Sequence, residues 1–193
     1  DPLRENTRET IEIARASGIR TVMITGDHAK TAAAIGAELG LNGEVLTGEQ
    51  MDAMDDETLA GHVGNVSMFA RVLPKHKVRI VDAFHARGET VAMTGDGVND
   101  APALKAADIG IAVGSGTDVA KEAADVVLTD NNFKTIVGAV EGGRNIYENV
   151  KKVVAYLLSD SWTEIIIVAG SLLLGLPIPI LAAQILWVNL IED

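Results

Sequence analysis

The sequence predicts an α/β fold, a mostly parallel sheet covered by helices, followed by a helical hairpin long enough to cross a lipid bilayer. Three observations predict it. Short apolar runs alternate with helix-length segments across short links, the pattern of right-handed βαβ units. Of the 193 residues 48% are apolar but only 4% aromatic, so Ala, Val, Ile, Leu and Gly must build the core. That composition suits parallel strands buried on both faces. Beyond residue 152 no Lys or Arg occurs, and the residues are mostly apolar.

Taken in order, a helix is expected over 8–16, closed by Gly18, then a strand over 21–24. Residues 30–39 place Ala and Leu on one helical face, with Gly40 as the stop. The acidic stretch 51–59 reads as a short surface helix. A strand over 67–70, a helix over 75–87 and strands over 91–93, 109–113 and 126–128 complete the alternation. A helix-like segment also follows Asp100. The expected organisation is an α/β domain over 1–130, an amphipathic helix over 131–152 and a transmembrane hairpin over 153–193.

Residues 153–175 are mostly apolar, with a polar island at Ser159, Asp160, Ser161, Thr163 and Glu164. Leu176–Pro177–Ile178–Pro179 reads as the turn, and 180–190 as the start of a second apolar helix. Lys151 and Lys152 stand just before the first span, which puts that end on the cytoplasmic side. A hairpin buried within a soluble protein is the competing reading, because the polar island dilutes the apolar signal. The formal net charge of −11 argues against a nucleic-acid partner. The absence of cysteine excludes disulfides and thiolate metal sites from this chain. No signal or transit peptide opens the sequence, and both ends read as though cut.

The densest chemistry is Thr94–Gly95–Asp96–Gly97–Val98–Asn99–Asp100, at the carboxyl end of an expected strand. Open α/β sheets place their ligands there. Glycines 95 and 97 allow a sharp turn and a close approach to a charged group. Asp96 and Asp100, with Asn99 beside the second, suit an oxygen-ligated hard cation such as Mg²⁺. A second Thr-Gly-Asp, Thr25–Gly26–Asp27, also lies between a strand and a helix. Such a turn offers a hydroxyl and N–H groups to a phosphoryl oxygen, and it equally fits an ordinary N-cap. Phe69–Ala70–Arg71, then Pro74 and Lys77, supply a rigid turn and cations in a first helical turn. Lys77 there is either a phosphate ligand or a solvated lysine. His28, His62, His76 and His85 lack metal-ligand spacing and read as surface residues.

The order of these motifs resembles the carboxyl part of the phosphorylation domain of P-type cation-transporting ATPases, with the fifth and the start of the sixth membrane helix. Asp1–Pro2–Leu3–Arg4 is similar to the family's Asp-Pro-Pro-Arg, with Leu3 in place of one proline. Thr25–Gly26–Asp27, Phe69–Ala70–Arg71 with Lys77, and Thr94 to Leu104 match the next three motifs in order. The family belongs to the haloacid-dehalogenase-like superfamily, so the resemblance implies a Rossmann-like sheet. It also implies phosphoryl transfer from ATP to an aspartate, with Asp96 holding Mg²⁺ and Asp100 and Asn99 organising cation and phosphate. Lys77 and Thr25 would contact the phosphoryl group, and Gly26, Asp27 and Arg71 would lie at the phosphate and nucleotide. The nucleophile belongs to an Asp-Lys-Thr-Gly-Thr motif that this sequence lacks, so the chain alone is expected to be inert. The actuator and nucleotide domains and the remaining membrane helices are the implied partners.

In the hairpin, Asp160 and Glu164 are spaced i,i+4 with Ser161 alongside, and Asn189, Glu192 and Asp193 are spaced i, i+3, i+4. Intramembrane carboxylates usually face a cation pathway, although a structural hydrogen-bond network fits the same spacing. Gln184 to Asp193 is similar to the sixth helix of calcium-type pumps. Glu164, Asn189 and Asp193 match ligand positions of that family. Ser161 and Glu192 depart from its asparagine and threonine, and Asp160 adds an acid. The expected cargo is Ca²⁺, with Na⁺, K⁺ or H⁺ as alternatives. A bacterial plasma membrane is the expected location. A soluble phosphatase of the same superfamily would need an amino-terminal Asp-x-Asp and no hairpin. A degenerate binding protein is opposed by the intact Thr25, Lys77, Asp96 and Asp100.

Overall fold

Every strand pairing in the structure, a computed structural model, is parallel, and each strand is fed by a helix or a short turn. The structure describes residues 7–130, 132–177, 179–181, 184 and 187. The chain divides into two units between Gly138 and Ala139.

In the first unit, α1 (Thr7–Ala16), β1 (Met23–Ile24), α2 (Ala29–Glu38) and β2 (Glu44–Thr47) come first. They are followed by α3 (Gly48–Asp52), α4 (Asp56–His62), β3 (Val66–Ala70) and α5 (Pro74–His85). Then come β4 (Ala92–Gly95), α6 (Ala101–Ala106), β5 (Ile109–Val113), α7 (Asp118–Ala123) and β6 (Val126–Leu128). The strands form two three-stranded ladders, β1-β3-β2 and β4-β5-β6.

Alternation along β3 explains how the first ladder is buried on both sides. Phe69 joins a cluster with Leu46, Met51, Leu59, Ile80 and Phe84, whereas Met68 joins Ile11, Leu39 and Leu41. The second ladder packs on Met93, Ala103, Leu104, Ala112 and Ala120, and the three alanines let α6 and α7 approach closely. Ile24 packs against both the Phe69 cluster and the Met93 cluster, so apolar contact continues from one ladder to the other.

The expected α/β fold with parallel strands is present, with three local differences. Strand β2 lies outside the expected set, because only Val45 and Leu46 of its four residues carry an apolar signal. The stretch 51–59 is not one surface helix. It is the end of α3 and the start of α4, separated where the Asp55 carboxylate caps the Thr58 N–H at 2.8 Å. Met51 and Leu59 are fully buried, so the acidic composition masked two core anchors. His76, expected on the surface, is 1% exposed.

Helix α8 (Phe133–Leu173) is continuous past residue 152. Its 41 residues are about twice what a bilayer requires. It is long and apolar enough to cross a membrane, and its apolar window has no buried share in the structure. Tyr156, Leu157, Trp162, Ile165 and Ile166 are all exposed on it, a display that water disfavours. Gly175, at φ +67°, ends the helix in the left-handed region, and the Leu176 N–H returns to the Ser171 carbonyl at 2.9 Å. Asn189, Glu192 and Asp193 of the expected second apolar helix lie outside the described residues.

Candidate functional site

Thr25 follows β1 and is laced to the loop after β3. Its N–H donates to the Phe69 carbonyl at 2.9 Å, and its own carbonyl accepts from the Val72 N–H at 3.1 Å. The Asp27 carbonyl takes the Arg71 N–H at 2.9 Å. Within the turn, the Thr25 hydroxyl donates to Asp27 Oδ2 at 3.0 Å and accepts from the Asp27 N–H at 3.1 Å. The residue at the N-cap of α2 is His28, so Thr25 is not a helix cap but the brace of its own turn. Gly26 and Asp27 are exposed.

Among the described residues, Arg71 is the non-glycine with positive φ, at +51°. That conformation costs about 1–2 kcal/mol and is sustained by the bond from its N–H to Asp27. Its guanidinium donates to His28 Nδ1 at 2.7 Å. Because Arg only donates, His28 carries its proton on Nε2. Sequence reasoning missed this role for His28, which has no signal beyond standing next to Asp27.

The second turn is built differently. After β4 the chain makes a 3₁₀ turn over Val98–Asp100, which swings Asp100 back beneath Gly95. A Cβ on Gly95 would lie 2.5 Å from the Asp100 Cβ, so only glycine admits this approach. Neither Gly95 nor Gly97 has positive φ, so the expected sharp turn needs no left-handed backbone.

The Asp100 side chain is 8% exposed. Its Oδ1 accepts from Lys77 Nζ. Its Oδ2 accepts from the N–H groups of Asp96 at 3.2 Å and Gly97 at 3.1 Å. Burial is the largest single influence on this carboxyl and pushes it up. The Lys77 bond, the two N–H bonds and the lysine charge together outweigh that and hold it below the usual carboxylate range. Lys77, the fourth residue of α5, is therefore not solvated alone, and it links the loop after β3 to the loop after β4.

Asp96 points its chemistry outward. Its carbonyl accepts from the Thr117 N–H at 2.8 Å, which pins the loop to the start of α7. Its carboxylate is exposed and bonds no partner among the described residues. Asn99 is exposed beside it. No group of three or more acidic, His or Cys side chains that could hold a metal occurs among the described residues. This donor set fits Mg²⁺, which takes one or two carboxylates and fills its shell with water and phosphate. The structure thus brings Lys77, Asp96, Asn99 and Asp100 into one loop cluster, and Thr25, Gly26, Asp27 and Arg71 into another. Asp160, Ser161 and Glu164 belong to α8 in the second unit.

Two profiles described as haloacid dehalogenase-like hydrolase match the chain, over residues 1–108 and 78–140. Over all of its length the chain is 51% identical to a calcium-transporting ATPase of Bacillus subtilis (strain 168). It is 54% identical to calcium-transporting ATPase 1 of Bacillus cereus, and it spans 22% of the length of each of these relatives. Among solved structures it is similar to a zinc-transporting PIB-type ATPase in the E2.Pi state. That likeness has a TM-score of 0.71 at 34% identity and covers 92% of this chain and 24% of that one. With parallel strands that end in two Thr-Gly-Asp turns, the chain belongs to the haloacid dehalogenase-like hydrolase family and, within it, to the P-type ATPases.

Proposed function

We propose that the full protein is an ATP-driven cation pump that passes through an aspartyl-phosphate, with Ca²⁺ as its cargo. The observation that carries this reading is the Asp100 carboxylate. It gathers Lys77 and two backbone N–H groups while Asp96 stays free. A cation aimed in advance at a developing phosphoryl charge is the main device of such transfers. Asp100 orients the Lys77 ammonium and holds the loop, and Lys77 stabilises the equatorial phosphoryl oxygens. The Thr25 hydroxyl, turned from Asp27, donates to the same group, while Gly26, Asp27 and Arg71 line the nucleotide side.

Asp96 and Asp100, with Asn99, would hold Mg²⁺, which supplies charge neutralisation on the phosphoryl oxygens when bound. The nucleophilic aspartate, the nucleotide and actuator domains and the other membrane helices lie outside this chain. The chain alone is therefore expected to be inactive. The corresponding domain reading is a cytoplasmic phosphorylation domain over 1–130, a stalk over 131–152 and membrane helices over 153–193, in a bacterial plasma membrane.

Asp160 and Glu164 support the cargo. Both are half-buried on one face of α8, amid exposed apolar residues, and offer only oxygen ligands. Ser161, Asn189, Glu192 and Asp193 complete the proposed set. The test is phosphoenzyme formation by the full-length protein from labelled ATP with Ca²⁺, Na⁺, K⁺ or Mn²⁺. Acid-stable labelling with Ca²⁺ alone is expected, and Glu164→Gln should raise the Ca²⁺ requirement at least about tenfold. Labelling driven by another ion would replace the cargo, and no labelling with any ion would remove the pump.

A further inference from the structure

His76 is a buried titratable side chain with two directed bonds and no part in the chemistry above. It is the third residue of α5, whose N-cap is Leu73, a residue with no side-chain oxygen to cap the helix. Instead the His76 Nδ1 accepts the Leu73 N–H at 3.0 Å. That is the backward half of a capping box, with an imidazole where Glu or Gln usually stands. An Nδ1 that accepts a backbone N–H holds no proton, so the ring proton sits on Nε2. From there it donates to Asp52 Oδ1 at 3.0 Å.

Asp52 ends α3 and also receives Lys75 Nζ, at 2.8 Å on one oxygen and 3.0 Å on the other. The Lys75 bond, then the His76 bond, hold this carboxyl below its ordinary range. The slot for the ring is shaped for it. A Cβ on Gly48 would stand 2.6 Å from His76 Cε1 and 2.5 Å from the Arg71 carbonyl. The imidazole therefore ties the start of α5 to the end of α3, with Gly48 packed between the ring and the Arg71 carbonyl. The next residue is Lys77, which meets Asp100.

We propose that the buried His76 and the exposed Asp52 it donates to are a positioning pair, seated on Gly48, that sets the first turn of α5 and so aims Lys77 at Asp100. This rests on the reading of Lys77 as the phosphoryl-contacting cation. A misplacement of about 1 Å at such a group can lower its contribution about a hundredfold, although neither His76 nor Asp52 touches the phosphate.

The test uses the full-length protein and orthovanadate, a mimic of the transferring phosphoryl group, with ATP affinity measured in parallel. His76→Leu removes both ring bonds, and Gly48→Ala crowds the ring without touching a charge. Both should weaken vanadate inhibition about ten- to a hundredfold, and His76→Leu should leave ATP affinity within about twofold. Gly48→Ala also presses on the Arg71 carbonyl and is read from vanadate alone. His76→Gln, which can accept the Leu73 N–H, should recover most of the loss. Unchanged vanadate inhibition in His76→Leu would overturn the proposal, as would equal losses of vanadate and ATP affinity, which mark general loosening.

If the Leu variant does not fold, the parent still decides the matter. Nitrogen NMR of histidine-labelled protein should show His76 protonated on Nε2, and protonation on Nδ1 would overturn the geometry. A parent that neither forms a phosphoenzyme nor responds to vanadate refutes the pump reading instead, and the NMR result stands apart from it.

Discussion

Thr25–Gly26–Asp27 and Thr94–Gly95–Asp96 are the same tripeptide at the ends of two parallel strands, yet they do opposite things. In the first, the threonine hydroxyl closes on the aspartate and the turn leads straight to His28 and α2. In the second, the aspartate carboxylate bonds no partner among the described residues, and the backbone N–H groups of Asp96 and Gly97 are given to Asp100. The residues after each tripeptide make the difference. Gly97–Val98–Asn99 makes room for a 3₁₀ turn that returns a second carboxylate under the first glycine, whereas His28 offers only a ring to Arg71. A tripeptide motif thus names a place where charge can be handled, and its next four residues decide which group is free to handle it.

The largest expected contrast is catalytic. Asp96→Asn should lower phosphoenzyme formation by the full-length protein about a hundred- to a thousandfold. Asp27→Asn should lower it at least about tenfold less, because that carboxylate is already held by Thr25. Equal losses, read from labelled ATP, would mean that both turns serve the chemistry alike. Next comes packing. Gly95→Ala forces a Cβ against Asp100 and should cost about 1–3 kcal/mol in chemical denaturation. Gly26→Ala points into open space and should stay within about 0.5 kcal/mol.

A smaller contrast separates the hydroxyls. Thr25→Val loses one bond donated and one accepted, and should cost about 1 kcal/mol. Thr94 is exposed, and Thr94→Val should change stability by less than about 0.5 kcal/mol. The last effect is on acid stability. The Asp100 carboxyl is lowered in the folded protein, so its contribution is complete above its ordinary value of about 3.8. That contribution is lost as the pH falls through the lower native value. Urea midpoints measured from pH 6 to pH 3 should therefore fall less steeply in Asp100→Asn than in the parent.

The alternation of apolar runs and helical stretches, the two Thr-Gly-Asp turns and the Pro74–Lys77 segment are all legible in the sequence. Each is a local pattern, set by backbone chemistry within a few residues. The α/β class and the choice of Lys77, Asp96 and Asp100 as candidates come from such patterns, as does the long apolar helix. Other features depend on residues far apart in the chain. Strand β2 forms because β3 offers it a partner, not because Val45 and Leu46 insist on it. Met51, Leu59 and His76 are buried because α3, α4 and α5 close over one cluster, a contact that composition does not encode. The pairing of Lys77 with Asp100 spans 23 residues, and that of His76 with Asp52 spans 24. Local propensity reaches about one helical turn, so pairings at that distance are settled when the packed core brings separate loops together.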